Sequence, residues 1–138
     1  MKATHTLGRT ERLKSRKQIE RLFREGRSFT LSAFKVFYIF DRLEAGGGAG
    51  PQQAGVSVST RNFKKAVHRN RIKRLLRESI RLQKNALGEQ LREKEQVLYY
   101  FVIFTGRQLP EFSFVKEKTA AILQKLSALA NENAQIPS

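Results

Sequence analysis

The sequence predicts one domain of the α/β class, of the α+β type, in which helices pack on a small β-sheet. Three observations support this fold class. Helical and strand patterns follow one another in the order helix, strand, strand, helix, strand, helix. The run from Leu98 to Thr105 is apolar and aromatic almost throughout, which is typical of a central strand buried on both faces. The length of 138 residues suits a single compact domain with its own core.

The first predicted element is a helix of about three turns that begins at Ser15 and ends at Gly26. Ser15 and Gln18 have the spacing of a capping box, and Gly26 stands where a helix C-cap is common. The apolar stripe of this helix consists of Ile19, Leu22 and Phe23. Residues 1–12 are expected to form a flexible basic arm ahead of it.

Two strands are predicted next, joined by a flexible loop. Residues 34–40 read FKVFYIF, a run of aromatic and β-branched side chains with apolar cover on both faces. Residues 44–53 contain four glycines and a proline, which favours an exposed connection. The second strand, Gly55 to Ser59, alternates two valines with small residues. We expect its face of small residues to lie against something that approaches closely.

The long helix predicted over residues 67–84 is the most unusual element of the chain. Its apolar seam consists of Ile72, Leu75, Leu76 and Ile80, which share one helical face. Its other faces are strongly basic. Between residues 61 and 84 there is one acid, Glu78, and there are ten basic residues, at positions 61, 64, 65, 69, 71, 73, 74, 77, 81 and 84. Solvated helix faces mix charges of both signs, so solubility alone explains this surface poorly.

The remaining elements complete the expected domain, which spans residues 1–138. Gly88 is expected in a turn after the basic helix. A last helix is expected to begin at Ser113 and to pack through an apolar side. That side consists of Val115, Thr119, Ile122, Leu126 and Leu129. Residues 131–138 are expected to form a disordered tail.

The net charge indicates what kind of partner the protein binds, and the cysteine content indicates in which cellular compartment it is expected. The formal net charge is +15, and self-repulsion of this size indicates a polyanionic partner, with nucleic acid first and an anionic membrane second. Cysteine is absent, which excludes disulfides, a thiolate nucleophile and a cysteine metal site. No apolar run approaches the length of a membrane span. A cytoplasmic protein is therefore expected.

The sequence offers no constellation of catalytic residues. His5 and His68 have no partner at metal-ligand spacing, so no metal site is expected, and His68 is read as a surface or RNA-contacting residue. The glycines of GGGAG are not followed by the Lys-Ser/Thr helix start of a phosphate loop. Paired carboxylates and a nucleophile elbow are also missing. We therefore expect binding chemistry rather than an active site of the protein's own.

Two features favour RNA over duplex DNA as the partner. The chain has no helix-turn-helix or zinc-finger spacing before the basic helix. Phe23 and Phe37 are available to stack on unpaired bases, as single-stranded RNA requires. Packing in the core remains an equal alternative for Phe23, and for Phe37 it is the slightly favoured one. The arginines supply planar forks that suit phosphate groups.

Three segments of the chain resemble the protein component of bacterial ribonuclease P. They are RLKSRKQIERLFREGRS at residues 12–28, the strand GVSVS with its following basic loop, and RNRIKRLLRE at residues 69–78. The resemblance covers roughly residues 9–129. It implies an α/β two-layer sandwich with a small mixed sheet and three main helices. It also implies a left-handed βαβ crossover, which general handedness rules do not predict.

The resemblance further implies a function and its partners. Such a subunit assists an endoribonuclease that removes the 5′ leader from precursor tRNA, and a catalytic RNA carries out the chemistry with Mg²⁺ ions that it largely holds itself. The implied partners are that catalytic ribonuclease P RNA and precursor tRNA, with neither a membrane nor a small-molecule substrate. The implied RNA-binding residues are Arg69, Asn70, Arg71, Lys73, Arg74 and Arg77, with Arg61, Lys64 and Lys65 at the rim of a leader cleft. The implied cleft residues are Ile19, Phe23, Phe37, Ser57 and Ser59.

Two departures and two alternatives accompany the resemblance. Ile19 stands where many relatives have an aromatic residue, and the loop TRNFKKAV differs from the glycine-containing loop that is common in the family. One alternative function is a structural RNA-binding protein of the ribosomal type, which would bind RNA without affecting its processing. The other is a basic helix on a membrane surface, which the need of the apolar seam to cover the sheet disfavours.

Overall fold

The computed structural model describes residues 12–42 and 50–135, with side chains described as far as residue 132. Most of the predicted basic arm, the centre of the glycine-rich loop and the last three residues lie outside the described residues. The described elements, in chain order, are α1 (Arg16–Glu25), β1 (Arg27–Leu31), β2 (Phe34–Arg42), β3 (Gln52–Val58), α2 (Ala66–Gln83), α3 (Asn85–Glu93), β4 (Gln96–Phe104) and α4 (Phe112–Gln135).

The four strands form one mixed sheet in the order β1-β2-β4-β3. Strand β2 is antiparallel to both β1 and β4, whereas β3 and β4 run parallel. A parallel pair needs a crossover connection, and here α2 and α3 supply it. The predicted small mixed sheet with packed helices is confirmed, and the left-handedness of the crossover stays a prediction.

One face of the sheet and three helices enclose the main core. Phe34, Val36, Tyr100 and Val102 from β2 and β4 are almost completely buried there. Helix α2 contributes its predicted seam, since Ile72, Leu76 and Ile80 are almost fully buried and Leu75 is half-buried. Helix α3 contributes Leu87 and Leu91, and α4 contributes Val115, Ile122 and Leu126. Each such side chain stabilises the fold by about 1.5–3 kcal/mol relative to exposure, so the apolar seam fixes which face of α2 remains outside.

Helix α1 packs on the opposite face of the sheet, with the ends that the sequence predicts. The Gln18 backbone N–H donates to Ser15 Oγ at 3.3 Å, and the Gly26 N–H donates to the Leu22 carbonyl at 2.9 Å. Leu22 is fully buried, while the ring of Phe23 remains 43% exposed. This single helix leaves part of the second face uncovered.

The structure differs from the prediction in two unexpected elements and in several element boundaries. Strand β1 was not expected, and neither was α3, because Gly88 was read as part of a turn. Strand β3 begins at Gln52, so residues 52 and 53 belong to the sheet and not to the glycine-rich loop, while Ser59 lies just beyond the strand. Helix α4 extends to Gln135, so residues 131–135, predicted as tail, continue the helix.

Candidate nucleic-acid interface

A pocket on the outer side of α2 collects many of the basic residues. Its lining consists of Arg12, Asn70, Lys73, Arg74, Arg77, Glu78 and Arg81, and its volume is about 600 Å³. We call it the basic pocket. Six of its residues come from α2, and Arg12 joins them because residue 12 forms an isolated parallel bridge with Ala54 of β3. The fold thus brings a residue from ahead of α1 next to α2, which the sequence pattern did not indicate.

The basic pocket carries little compensating negative charge. Its one carboxylate, Glu78, accepts a hydrogen bond from Arg81 Nε at 3.0 Å, and this bond holds the pKa of Glu78 below its usual range. Burial, followed by the nearby charge of Arg12, lowers the pKa of Arg77. Within the described part of the chain no ion pair neutralises Arg12, Lys73, Arg74 or Arg77. A ligand with several negative charges would relieve this repulsion.

The predicted RNA-binding residues of α2 divide into three groups. Asn70, Lys73, Arg74 and Arg77 line the basic pocket. Arg71 is exposed but is not part of the pocket lining. Arg69 turns toward the preceding loop, where its Nη1 donates to the carbonyls of Phe63 and Lys64, both at 2.8 Å.

A second, more open depression lies between α1 and the ends of strands β3 and β4. Its lining consists of Phe23, Lys35, Phe37, Ser59, Thr60, Arg61, Asn62, Ile103, Thr105 and Arg107, and its volume is about 730 Å³. We call it the α1 groove. It contains three of the five predicted cleft residues, namely Phe23, Phe37 and Ser59. Ser57 lies on the same face of the sheet in register with Ile103, outside the lining. Ile19 is half-buried and also outside the lining.

Aromatic rings form the floor of the α1 groove. Phe23 contacts Phe37 edge-on with ring centroids 4.8 Å apart, and it contacts Phe101 at 5.3 Å. Phe101 lies across Gly55, since a Cβ built on that glycine would be only 2.5 Å from the ring. For Gly55 the expected close approach to the face of small residues is therefore present, whereas for Ser57 and Ser59 it stays a prediction. Phe23 both packs on the sheet and keeps much of its ring exposed, so the two readings of this residue are compatible.

Cationic side chains surround the aromatic floor. Arg61 and Arg107 both line the groove, because parallel β3 and β4 end at the same edge of the sheet. Lys35 Nζ lies 5.2 Å from the centroid of the Phe37 ring. The predicted rim residues Lys64 and Lys65 are exposed and follow the loop onward to α2, outside the groove lining.

Sequence reasoning missed the contact of Phe101 with Phe23 and six residues of the groove lining, namely Lys35, Thr60, Asn62, Ile103, Thr105 and Arg107. Lys35 and Phe101 lie on predicted strands, but the sequence pattern did not show which residues of the sheet contact α1. Arg107 comes three residues after the end of β4. It could have been predicted as a groove residue only from the parallel pairing that places the ends of β3 and β4 side by side. In the described ranges no three His, Cys, Asp or Glu side chains converge to hold a metal ion. None of the described helices is long and apolar enough to cross a membrane.

The fold and the two surfaces define a class of protein: a strongly basic α+β domain whose described residues form a pocket lined by cations and an aromatic groove rimmed by cations. A family model described as Ribonuclease P matches residues 7–128. The ribonuclease P protein component of Porphyromonas gingivalis is 35% identical over 136 residues, which covers 94% of this chain and 97% of that protein. The protein component of Dictyoglomus thermophilum is 34% identical over 124 residues, covering 88% and 92%.

Solved structures of the same family share the fold. The ribonuclease P protein of Staphylococcus aureus superposes with a TM-score of 0.62 at 20% identity, covering 84% of this chain and 94% of that one. The protein from Thermotoga maritima gives a TM-score of 0.59 at 26% identity, covering 83% and 96%. The chain therefore belongs to the ribonuclease P protein family. Membership makes it part of a ribonucleoprotein of tRNA processing and implies an RNA partner.

Proposed function

We propose that this chain is the subunit that binds the catalytic RNA of ribonuclease P through the basic pocket and holds the 5′ leader of precursor tRNA in the α1 groove. The observation that carries the proposal is the chemical difference between the two surfaces. The basic pocket offers guanidinium and ammonium groups without aromatic rings. The α1 groove offers exposed aromatic surface beside cations.

The basic pocket suits the backbone of a folded RNA. Arginine forks bind phosphate oxygens in pairs, and each contact releases condensed counterions. Such contacts fix the register of an RNA without reading its sequence. Because Asn70 lies among the cations, it adds a neutral donor and acceptor for a sugar or base edge.

The α1 groove suits a single strand. A base that stacks on an aromatic side chain contributes about 1–3 kcal/mol, and stacking tolerates every base. Phe23 presents part of its ring to solvent, while Arg61 and Arg107 stand where a backbone would pass. A leader of variable sequence requires this combination of tolerant stacking and phosphate neutralisation.

The residues of these surfaces do not suit Mg²⁺. Magnesium prefers carboxylate and water oxygens, and among the described residues the only carboxylate that lines either surface is that of Glu78, which is already paired with Arg81. We therefore propose that Mg²⁺ is held mainly by the RNA. The chain's contribution is to strengthen binding of leader-bearing precursor and to lower the Mg²⁺ concentration needed for hydrolysis to a 5′-phosphate. With this role the chain is expected in the cytoplasm.

Reconstitution with a bacterial ribonuclease P RNA tests the assignment. At low Mg²⁺, addition of the protein is expected to increase the rate of precursor tRNA cleavage over that of the RNA alone. Binding of the RNA without any gain in rate would favour a structural RNA-binding protein of the ribosomal type. Flotation with anionic vesicles in the absence of RNA would favour the membrane alternative.

The groove assignment has its own test in Phe23→Ala. Removal of this ring is expected to lower affinity for precursor tRNA by about tenfold, equivalent to one lost stacking contact, and to leave affinity for mature tRNA unchanged. Phe112→Ala is the matched control, because Phe112 is comparably exposed and lies outside the groove lining. Equal losses for precursor and mature tRNA would reject the cleft role of Phe23.

A further inference from the structure

The loop of residues 59–65, between β3 and α2, connects the α1 groove to the basic helix. Its first part lines the groove through Ser59, Thr60, Arg61 and Asn62. Its last residue, Lys65, is the N-cap of α2 and makes no side-chain hydrogen bond to the helix. The first turn of α2 contains no acidic residue either. Local capping therefore contributes little to the position of this loop relative to α2.

The strand side of the loop is well fixed. Asn62 Nδ2 donates to the carbonyls of Thr105 and Gly106 at 3.1 and 3.2 Å. Phe63 is 7% exposed and packs near Phe104, with ring centroids 6.1 Å apart. The Phe63 N–H donates to the Ser59 carbonyl at 3.2 Å. These contacts hold the loop to the ends of β3 and β4.

Arg69 fixes the helix side of the same loop. Both hydrogens of its Nη1 are used, because this one nitrogen donates to the Phe63 and Lys64 carbonyls at 2.8 Å each. Hydrogen bonds from a charged donor are shorter and stronger than neutral ones. Arg71, two residues further along α2, is exposed and makes no such bond to the described residues.

We infer that Arg69 is a positioning residue that braces the loop of residues 59–65 against α2 and so fixes the α1 groove relative to the basic pocket. The inference rests on the proposed function and gives Arg69 a role different from the RNA contact that the resemblance implies. When α2 binds RNA, the brace sets the position of Arg61 and the groove relative to that RNA, and so the place where a single strand can bind. Loss of the brace weakens leader binding although Arg69 itself lies outside the groove lining.

Three variants separate bracing from charge. Arg69→Ala removes both the hydrogen bonds and the charge. Arg69→Lys keeps the charge, but its ammonium lies one bond closer to the backbone and lacks the planar fork. Arg71→Ala removes the same type of charge from the same helix without touching the loop. A brace requires Arg69→Lys to behave like Arg69→Ala, whereas a phosphate contact requires it to behave like the wild type.

The first readout is hydrogen exchange of the Phe63 amide in the free protein. In both Arg69 variants this exchange is expected to be about tenfold faster, and in Arg71→Ala it is expected to be unchanged. The second readout is the ratio of affinities for precursor and mature tRNA, measured with ribonuclease P RNA saturated by protein. This ratio is expected to fall severalfold in both Arg69 variants and to hold in Arg71→Ala.

The outcomes distinguish this inference from the proposed function. A wild-type assembly that does not prefer leader-bearing tRNA overturns the proposed function and, with it, the coupling inferred for Arg69. If the wild type does show that preference, unchanged Phe63 exchange in both Arg69 variants overturns the inference alone. Wild-type behaviour of Arg69→Lys in both readouts would show that only the charge of Arg69 matters.

Discussion

The arginines of α2 differ in what their guanidinium groups contact. Arg69 binds two backbone carbonyls, Arg81 binds Glu78, and Arg74 lines the basic pocket without an ion pair in the described ranges. Arg71 faces solvent. A count of basic residues along the helix treats these four side chains as equivalent. Within the described part of the chain, Arg71 and Arg74 keep their whole guanidinium forks available for a phosphate, whereas Arg69 and Arg81 have already used part of theirs.

Gly55 leaves room for the ring of Phe101, which contacts Phe23 of the groove. An added Cβ would lie 2.5 and 2.6 Å from two carbons of the Phe101 ring, so Gly55→Ala must displace that ring, which also contacts Phe23. We expect a loss of about 1–3 kcal/mol in the free energy of unfolding, as for other overpacked sites, and weaker binding of leader-bearing tRNA. Denaturant unfolding and precursor affinity measure the two effects.

The control for that prediction is Gly50→Ala. Nothing lies within 4 Å of a Cβ built on Gly50, so its effect is expected to stay within about 0.5 kcal/mol. Equal stability of Gly55→Ala and Gly50→Ala would contradict the close packing of Phe101 on β3.

Glu78→Gln is expected to increase affinity for RNA. The substitution removes the one carboxylate among the described residues of the basic pocket and frees Arg81 for one further phosphate contact. The slope of log affinity against log salt should steepen by about 0.7–0.9. Because Arg81 holds the pKa of Glu78 below its usual range, the wild-type carboxylate is charged at neutral pH. As the pH falls through that lowered pKa, the two proteins should converge in affinity.

A matched change of charge elsewhere tests whether this gain is local. Glu117→Gln also raises the net charge by one, but Glu117 lies on α4, is exposed and is outside the pocket lining. Filter binding over a salt series compares the two variants. An equal gain from Glu117→Gln would mean that net charge alone, and not the release of Arg81, controls the affinity.

At the scale of elements, the position of α1 over the sheet decides the shape of the groove. Arg21 on α1 forms a two-pronged pair with Asp41 on β2, in which both N···O distances are 2.8 Å. Hydrogen bonding to Asp41 raises the pKa of Arg21, so Arg21 is charged throughout the physiological range, and the stability that this raised pKa contributes is lost as the pH rises through it. Leu22, fully buried beside it, supplies the apolar contact.

Asp41→Asn is expected to loosen α1 more than it destabilises the fold. Both side chains are about one-third exposed, so we expect a loss of only about 0.5–1 kcal/mol in the free energy of unfolding. Amide exchange in α1 should accelerate and leader affinity should fall. Glu25→Gln removes a more exposed partner, 3.6 Å from Arg21 Nε, and should leave both nearly unchanged. Wild-type exchange in Asp41→Asn would show that apolar packing alone fixes α1.

The elements that the sequence predicted are those with strong local signals. Helix α1 has a cap at each end, and α2 has an unbroken apolar seam. Helix α3 was missed because Gly88 normally indicates a turn. Here the glycine leaves room for Gln52, whose Nε2 donates to the Lys84 carbonyl at 2.9 Å and would lie 3.0 Å from an added Cβ. That requirement comes from β3, distant in sequence, so no local pattern reveals it.

Strand β1 and the far side of the groove were missed for related reasons. Strand β1 has five residues and lies at the edge of the sheet beside β2. Its run of apolar side chains is therefore short and is interrupted by polar ones. Arg107 joins Arg61 only because β3 and β4 are parallel neighbours. Both features depend on pairing between strands that are distant in sequence. Helix α2 and the positions of its cations depend instead on residue types and their spacing along the chain. The sequence therefore predicted the basic side chains better than their partners in space.

The affinity of the whole molecule for RNA can depend on its net charge of +15 or on where the charges lie. Long-range attraction depends on the total charge and is screened within about 10 Å at 0.1 M salt. Contacts in the basic pocket depend on where each charge lies. The fold concentrates unpaired cations on α2, while acidic residues such as Glu89 and Glu93 lie on α3.

Two substitutions that change the net charge equally distinguish these cases. Arg74→Ala removes a cation from the basic pocket, and Arg92→Ala removes an exposed one from α3. We expect Arg74→Ala to weaken binding of ribonuclease P RNA and to reduce the salt slope by about 0.7–0.9, because one phosphate contact is lost. Arg92→Ala should change the affinity little at physiological salt. Equal losses in the two variants, across a salt titration, would mean that the RNA responds to the total charge and that α2 has no privileged role.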